Sequence, residues 1–299
     1  YVTRAKSRDI FRPVYDGTAT KRGALLEYSF DRKSLLLSPT SRGLQNQESI
    51  GRGKMTQNNI YLPYTAKVVD VKQETPIIKS FKFEFTDPEV KKSFDWRAGQ
   101  FLILSVFGVG EAAFTFANPQ TRKEYVECSI KKIGLVTEAI HELEVGDTVA
   151  IRGPYGNWFP FEDYKNKNLL YIGGGIGIAA LRSPIEYSFD TRKNYKKITI
   201  LYGAVTPIDI CYKDKLVEWE KVHDTQFVLT VDRGSEGWKY KVGMVPVILN
   251  EMHPSPENTV AITCGPPIMI KFVLKELIEL GFTPDQIVTT LEMKMKCGL

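Results

Sequence analysis

At 299 residues and 43% hydrophobic content, the chain is long enough to bury a large core in two domains. Its longest apolar run is glycine-rich and about a dozen residues long, short of the roughly 18–20 that span a bilayer. No charged-then-apolar leader opens the chain, so the expected setting is the cytoplasm. The net charge of +5 does not imply a nucleic-acid partner: residues 1–54 carry 11 Lys+Arg against 5 Asp+Glu, and the other 245 residues carry 29 against 30. Four cysteines (Cys128, Cys211, Cys264, Cys297) follow no disulfide or zinc spacing, which fits a reducing compartment.

Residues 1–54 show no sustained helical or strand period and read as a basic N-terminal extension. In a domain expected over 60–160, the signals from 65 to 154 are mostly strand-like. The segment 78–85 alternates apolar and polar residues, 100–107 is more continuously apolar, and 124–133 and 147–152 complete the pattern. Short strands separated by Gly, Pro and Asp turns predict an antiparallel β-barrel, with one helical insertion over 136–143.

After Asn166 the rhythm changes. Strands are expected over 169–172, 198–202, 226–231, 259–263 and 286–291, with helices near 178–187, 213–222, 245–251 and 268–280. This alternation predicts an α/β domain over 166–291 with a parallel sheet covered on both faces. Ligands of such sheets bind at the carboxyl ends of the strands. Two glycine turns fall there: Gly173-Gly174-Gly175-Ile176-Gly177, which leads into a helix at Ile178, and Cys264-Gly265-Pro266-Pro267. A strand, a glycine loop and a helix start let backbone amides approach a phosphate or ribose closely. A third turn, Arg152-Gly153-Pro154-Tyr155-Gly156, lies upstream. His141, His223 and His253 read as incidental surface residues, and none makes a metal-ligand pair.

A barrel followed by a nucleotide domain with these turns resembles the ferredoxin–NADP reductase superfamily, from about Tyr64 to the end of the chain. The resemblance implies FAD on the barrel and NAD(P) on the sheet. The family's R-x-Y-[ST] flavin strand matches Ala112-Ala113-Phe114-Thr115, which places Thr115 at the isoalloxazine edge and Phe114 against the ring. Alanine replaces the arginine usually found at position 112. Gly134-Leu135-Val136-Thr137 at a helix start offers free amides for the diphosphate, with charge from Lys131 or Lys132. From local sequence alone Thr137 reads equally well as a plain helix cap. The implied cofactor contacts are thus Ala113, Phe114, Thr115, Ile130, Lys131, Gly134, Val136 and Thr137 for the flavin. For the dinucleotide they are Gly173, Gly174, Gly175, Gly177, Ile178, Gly265 and Pro266. Cys264 matches the family's cysteine beside the nicotinamide. Asp232-Arg233 falls where the adenosine ribose lies, an acid favouring a free 2′-hydroxyl and an arginine a 2′-phosphate.

A narrower resemblance is carried by Gly203-Ala-Val-Thr-Pro, Val231-Asp-Arg-Gly, Gly265-Pro-Pro-Ile-Met-Ile-Lys and Leu291-Glu-Met-Lys-Met-Lys-Cys297-Gly. These are similar to the diaphorase (gamma) subunits of multi-subunit hydrogenases, anaerobic sulfite reductase and heterodisulfide-reductase-linked complexes. The resemblance implies iron–sulfur and catalytic subunits as partners. It also makes Cys297, in the segment 292–299, the first ligand of a two-iron, two-sulfur cluster (C-x4-C-x2-C) that one cysteine cannot complete. One alternative is the electron-transfer subunit of dihydroorotate dehydrogenase, a group that generally keeps the arginine lost at Ala112. Another, of a different class, is a nucleotide-binding scaffold without turnover.

Overall fold

The computed structural model describes residues 2–4 and 61–290. The rest of the basic extension and Cys297 lie outside the described residues, so the expectations for them do too.

After a short strand β1 (Val2–Arg4), the chain lays down β2 (Tyr64–Thr75), β3 (Ile78–Phe85), β4 (Phe101–Val106), β5 (Gly110–Thr115), β6 (Val126–Lys131) and β7 (Thr148–Tyr155). Helices α1 (Pro88–Ser93) and α2 (Leu135–His141) interrupt the series. Strands β2 to β7 form one antiparallel sheet in the order β5-β4-β7-β2-β3-β6. The end strands β5 and β6 lie against each other, so the sheet curls into a barrel. Alternation supplies its inside: Phe81 and Phe83 of β3, Leu102 and Leu104 of β4 and Ile151 of β7 are fully buried. Trp96 and Phe116 stack at 5.1 Å beneath them. His141 corrects the sequence reading: it is buried, and its Nε2 donates to the carbonyl of Ile130 at 2.8 Å. Burial holds its imidazole below the ordinary histidine range, only partly offset by that bond.

The second half comprises β8 (Asn168–Gly174), α3 (Ile178–Asp190), β9 (Ile198–Ala204), α4 (Lys213–Trp219), β10 (Thr225–Val231), β11 (Lys241–Val242), α5 (Val245–Met252), β12 (Thr259–Cys264), α6 (Pro267–Glu279) and β13 (Ile287–Thr290). Their sheet runs β1-β13-β12-β8-β9-β10-β11, parallel throughout except where β1 pairs antiparallel with β13. The edge strand β1 was not expected from the sequence of the basic extension. Every residue of β9 and β12 is buried, as strands covered on both faces require. One face packs under α5 and α6 through Val245, Leu249, Val273 and Leu277. The other packs under α3 and α4, and its core takes in Ile78 and Ala98 from the barrel half.

Helix α3 lies between the sheet and the barrel. It is buried nearly all round, including the polar residues Arg182, Ser183, Glu186 and Ser188. Its charges are satisfied across that contact. Arg182 forks onto Glu127 of β6 at 2.6 and 3.0 Å and reaches Glu186 at 3.1 Å, and Glu186 also accepts from Arg122 at 2.8 Å. Deleting one partner of such a buried pair costs about 3–5 kcal/mol, because the other charge is left uncompensated.

Candidate active site

Of the parallel strands in this sheet, β8 is the first in sequence, and it lies at the centre. The chain moves outward on one side through β9 and β10, then returns to place β12 on the other side of β8. Between β8 and β12 the direction of winding reverses, and the crevice beyond their carboxyl ends is where such sheets bind ligands. The two sequence-predicted glycine turns meet there. Cys264, the last residue of β12, is the register partner of Gly173 on β8.

The glycines divide by role. A Cβ on Gly177 would stand 2.7 Å from the Cys264 carbonyl group and from the Cα of Gly265, so the two turns touch backbone to backbone. A Cβ on Gly174 would strike the Met269 sulfur, and one on Gly265 would lie 2.6 Å from the same residue's methyl. Gly173 is crowded by Ile178, which is itself fully buried. These positions are small for packing. Gly175 is different: its φ is +53° and an added Cβ would meet nothing within 4 Å. It holds a left-handed turn at an open space, as a backbone reserved for a ligand would. Cys264 is 4% exposed at the same rim. Asp232 and Arg233 follow β10, three strand spacings from β12, or about 14 Å. Both are exposed, and their amides close the turn onto the carbonyls of Ala204 and Val205 at 3.0 Å each.

On the barrel, cross-strand register decides which residues face outward. Ala112 and Phe114 pair with Leu104 and Leu102, which are fully buried. Ala112 is accordingly buried, and Phe114 packs against the barrel core with part of its ring left exposed. The opposite face carries Ala113 and Thr115, aligned with Ile103 and Phe101 of β4. Thr115 is half-buried, and its hydroxyl has no partner among the described residues. Arg152 of β7 pairs with Ile103 and lies in line with Ala113 across β4. Its guanidinium pairs with Glu111. Sequence reading passed over Arg152 as a site residue, although its position opening the Gly-Pro-Tyr-Gly turn was the available signal.

The start of α2 closes this end of the barrel. Val136 stands 3.2 Å from where a Cβ on Gly110 would be, so the β5 and α2 motifs are neighbours in space. Gly134 caps the helix, and the Thr137 hydroxyl accepts from the amides of Ile133 and Gly134 and donates to the Gly134 carbonyl, all at 2.9 Å. Thr137 is therefore a capping residue in geometry, and the helix start presents its first amides outward. Lys131, exposed at the end of β6, has no ion-pair partner among the described residues. The side chain of Ile130 lies inside the barrel, so Ile130 has only backbone to offer a cofactor. Among the described residues no group of three or more His, Cys, Asp or Glu side chains is arranged to hold a metal ion. Nor is any described helix long and apolar enough to cross a membrane.

Comparison with known proteins agrees with this two-part fold. Residues 65–159 match the oxidoreductase FAD-binding domain, and residues 171–275 match the oxidoreductase NAD-binding domain. The fold is shared with a ferredoxin NADP+ reductase from Neisseria gonorrhoeae, at a TM-score of 0.66 and 22% identity, over 76% of this chain and 98% of that one. The chain belongs to the FAD- and NAD-binding oxidoreductases, on a fold shared with ferredoxin reductases, and is an NAD(P)H-dependent flavin oxidoreductase. Within that family it is similar to the gamma subunit of sulfhydrogenase 2 from Pyrococcus furiosus, 35% identical over 254 residues, covering 81% of this chain and 87% of the relative. It is also similar to a probable dihydroorotate dehydrogenase B electron transfer subunit from Methanocaldococcus jannaschii, 32% identical over 238 residues, covering 79% and 80%.

Proposed function

We propose that this chain is the diaphorase subunit of a larger cytoplasmic redox complex, passing hydride between NAD(P)H and FAD and single electrons to or from iron–sulfur centres. One observation carries this reading: each half leaves an open polar position. The only left-handed glycine of the 173–177 loop has open space beside it at the turn that meets Cys264, and the half-buried Thr115 hydroxyl, on the outer face of β5, has no partner among the described residues.

Both cofactor sets fit the residues present. Thr115 and Ala113 would hold the isoalloxazine edge, with the exposed edge of Phe114 beside it. The amides of Gly134, Val136 and Thr137 would take the diphosphate, with Lys131 and Arg152 supplying the charge that Ala112 lacks. Gly175 and the backbone of Gly173, Gly174, Gly177 and Ile178 would cradle the dinucleotide, and Cys264, Gly265 and Pro266 would border the nicotinamide. Asp232 would take the ribose, which inclines the site to NADH. When bound, flavin exchanges two electrons with a nicotinamide and one at a time with metal centres. The chain's part is positioning, holding the two rings within roughly 3–3.5 Å and excluding water. On this reading residues 60–160 form the flavin domain, 166–291 the nucleotide domain, and 1–54 a basic extension whose Val2–Arg4 edges the nucleotide sheet.

The kinship to sulfhydrogenase gamma subunits supports iron–sulfur and catalytic subunits as partners. Burial of Ala112, where dihydroorotate dehydrogenase partners generally carry arginine, favours that reading over the alternative. Cys297 would supply one thiolate of a two-iron, two-sulfur cluster serving as the one-electron outlet. The native protein, isolated with its partners, is expected to show a reduced-cluster paramagnetic signal that Cys297→Ser abolishes or alters. Flavin without iron or acid-labile sulfide would contradict the outlet at this position.

A further inference from the structure

Helix α3 begins at the glycine loop, and Arg182 stands one turn into it. The Arg182 side chain is 5% exposed, as buried as its partners Glu127 at 4% and Glu186 at 2%. Its Nη1 and Nη2 donate to both oxygens of Glu127, its Nε donates to Glu186, and its guanidinium lies 4.8 Å over the Tyr212 ring. A planar fork on a carboxylate fixes angle as well as distance. On the barrel side, the Glu127 amide donates to Asn118 Oδ1 at 2.8 Å. The Asn118 carbonyl in turn accepts from Ser183 of α3 at 3.1 Å. Asn118 lies three residues beyond Thr115. One buried network thus runs from the helix behind the nicotinamide loop to the strand end behind the flavin edge.

A buried ion triad is weak evidence for stability, because apolar residues of like volume often serve as well. What they would not supply is a fixed orientation between two domains. We propose that Arg182, held by Glu127 and Glu186, is a positioning residue for hydride transfer, setting the glycine loop of the nucleotide domain at its working distance from the flavin strand. The proposal rests on the placement of the two cofactors given under Proposed function. It concerns rate more than affinity, since each cofactor's own contacts lie within one domain.

The test uses the full chain loaded with FAD, with NADH and NADPH as probes. Two variants are compared with the wild type: Arg182→Lys, which keeps the charge and loses the fork, and Arg182→Gln combined with Glu127→Gln, which removes both charges and leaves Glu186 paired with Arg122. FAD content, coenzyme Kd, thermal midpoint and the saturating rate of flavin reduction per bound flavin are measured. A displacement of about 1 Å costs on the order of 100-fold in rate, so the saturating rate is expected to fall at least about tenfold in both variants, with coenzyme Kd changed less than about threefold. A purely structural role would lower the thermal midpoint and leave the rate per bound flavin at the wild-type value, which overturns the proposal. Should the neutral pair fail to fold, an unchanged rate in Arg182→Lys is sufficient to overturn it. A wild type whose bound flavin neither coenzyme reduces contradicts the functional reading, whereas a reducible wild type matched by its variants contradicts the clamp alone.

Discussion

Gly175→Asn is expected to leave a folded, flavin-containing protein that no longer uses its coenzyme. Asparagine tolerates the left-handed backbone at a cost of about 1 kcal/mol against glycine, and the space beside Gly175 is open, so the chain has room for it. That space is the one assigned to the dinucleotide. Filling it should raise the coenzyme Kd by about 100-fold, equivalent to about 2.7 kcal/mol, and slow flavin reduction at any fixed coenzyme concentration accordingly. Rapid-mixing reduction traces and a coenzyme titration read both effects. Gly177→Ala makes the contrast, because its methyl would stand 2.7 Å from main chain that cannot yield, and there the loss is expected in stability first. A Gly175→Asn protein with wild-type coenzyme affinity would remove the loop from the binding site.

Thr137→Asp is expected to weaken flavin binding. The Thr137 hydroxyl accepts from the Ile133 and Gly134 amides, and a carboxylate can take over both bonds while suiting the positive end of a helix, losing only the bond that the hydroxyl donates to the Gly134 carbonyl. The helix start should therefore persist. The added charge would stand beside the diphosphate, and two like charges at about 4 Å repel by about 1 kcal/mol in water and about 4 kcal/mol in a partly screened site. Flavin affinity should fall at least about tenfold, read from the absorbance of the purified protein and from FAD titration of the stripped chain. Full flavin content in this variant would place the diphosphate elsewhere.

The parallel half was legible because its physics is local. Strands buried on both faces read as unbroken apolar runs, and β8, β9 and β12 fall where such runs predict, as does the partly exposed β10, with helices α3 to α5 between them and α6 after β12. In the barrel, β3 spans the same residues as its alternating pattern. The neighbouring β2 shows why pattern fails elsewhere: register shifts at Val68/Asp70 and Gln73/Thr75 break its period, and much of its length is exposed. Helix α1 buries no residue at all, so it left no apolar stripe to find, although Asp87 and Pro88 form a recognisable start.

The segments of the candidate site were legible, but not the part each residue plays in the fold. The motif named four glycines in the 173–177 loop alike, yet only the backbone and its neighbours distinguish Gly175, which faces space, from Gly174 and Gly177, which face Met269 and the Cys264 turn. Phe114 and Thr115 are adjacent in sequence, and cross-strand register sends them to opposite faces of β5. The Arg182–Glu127 pair joins residues 55 apart through two domains, a contact that no local pattern encodes.

Hydride exchange between nicotinamide and flavin within this chain would show in the flavin absorbance when the FAD-loaded full chain is mixed, without oxygen, with a stoichiometric amount of NADH or of NADPH. One reduced coenzyme is expected to bleach one bound flavin, with NADH the faster donor. Flavin that stays bound and oxidised in the presence of excess NADH and NADPH would contradict it.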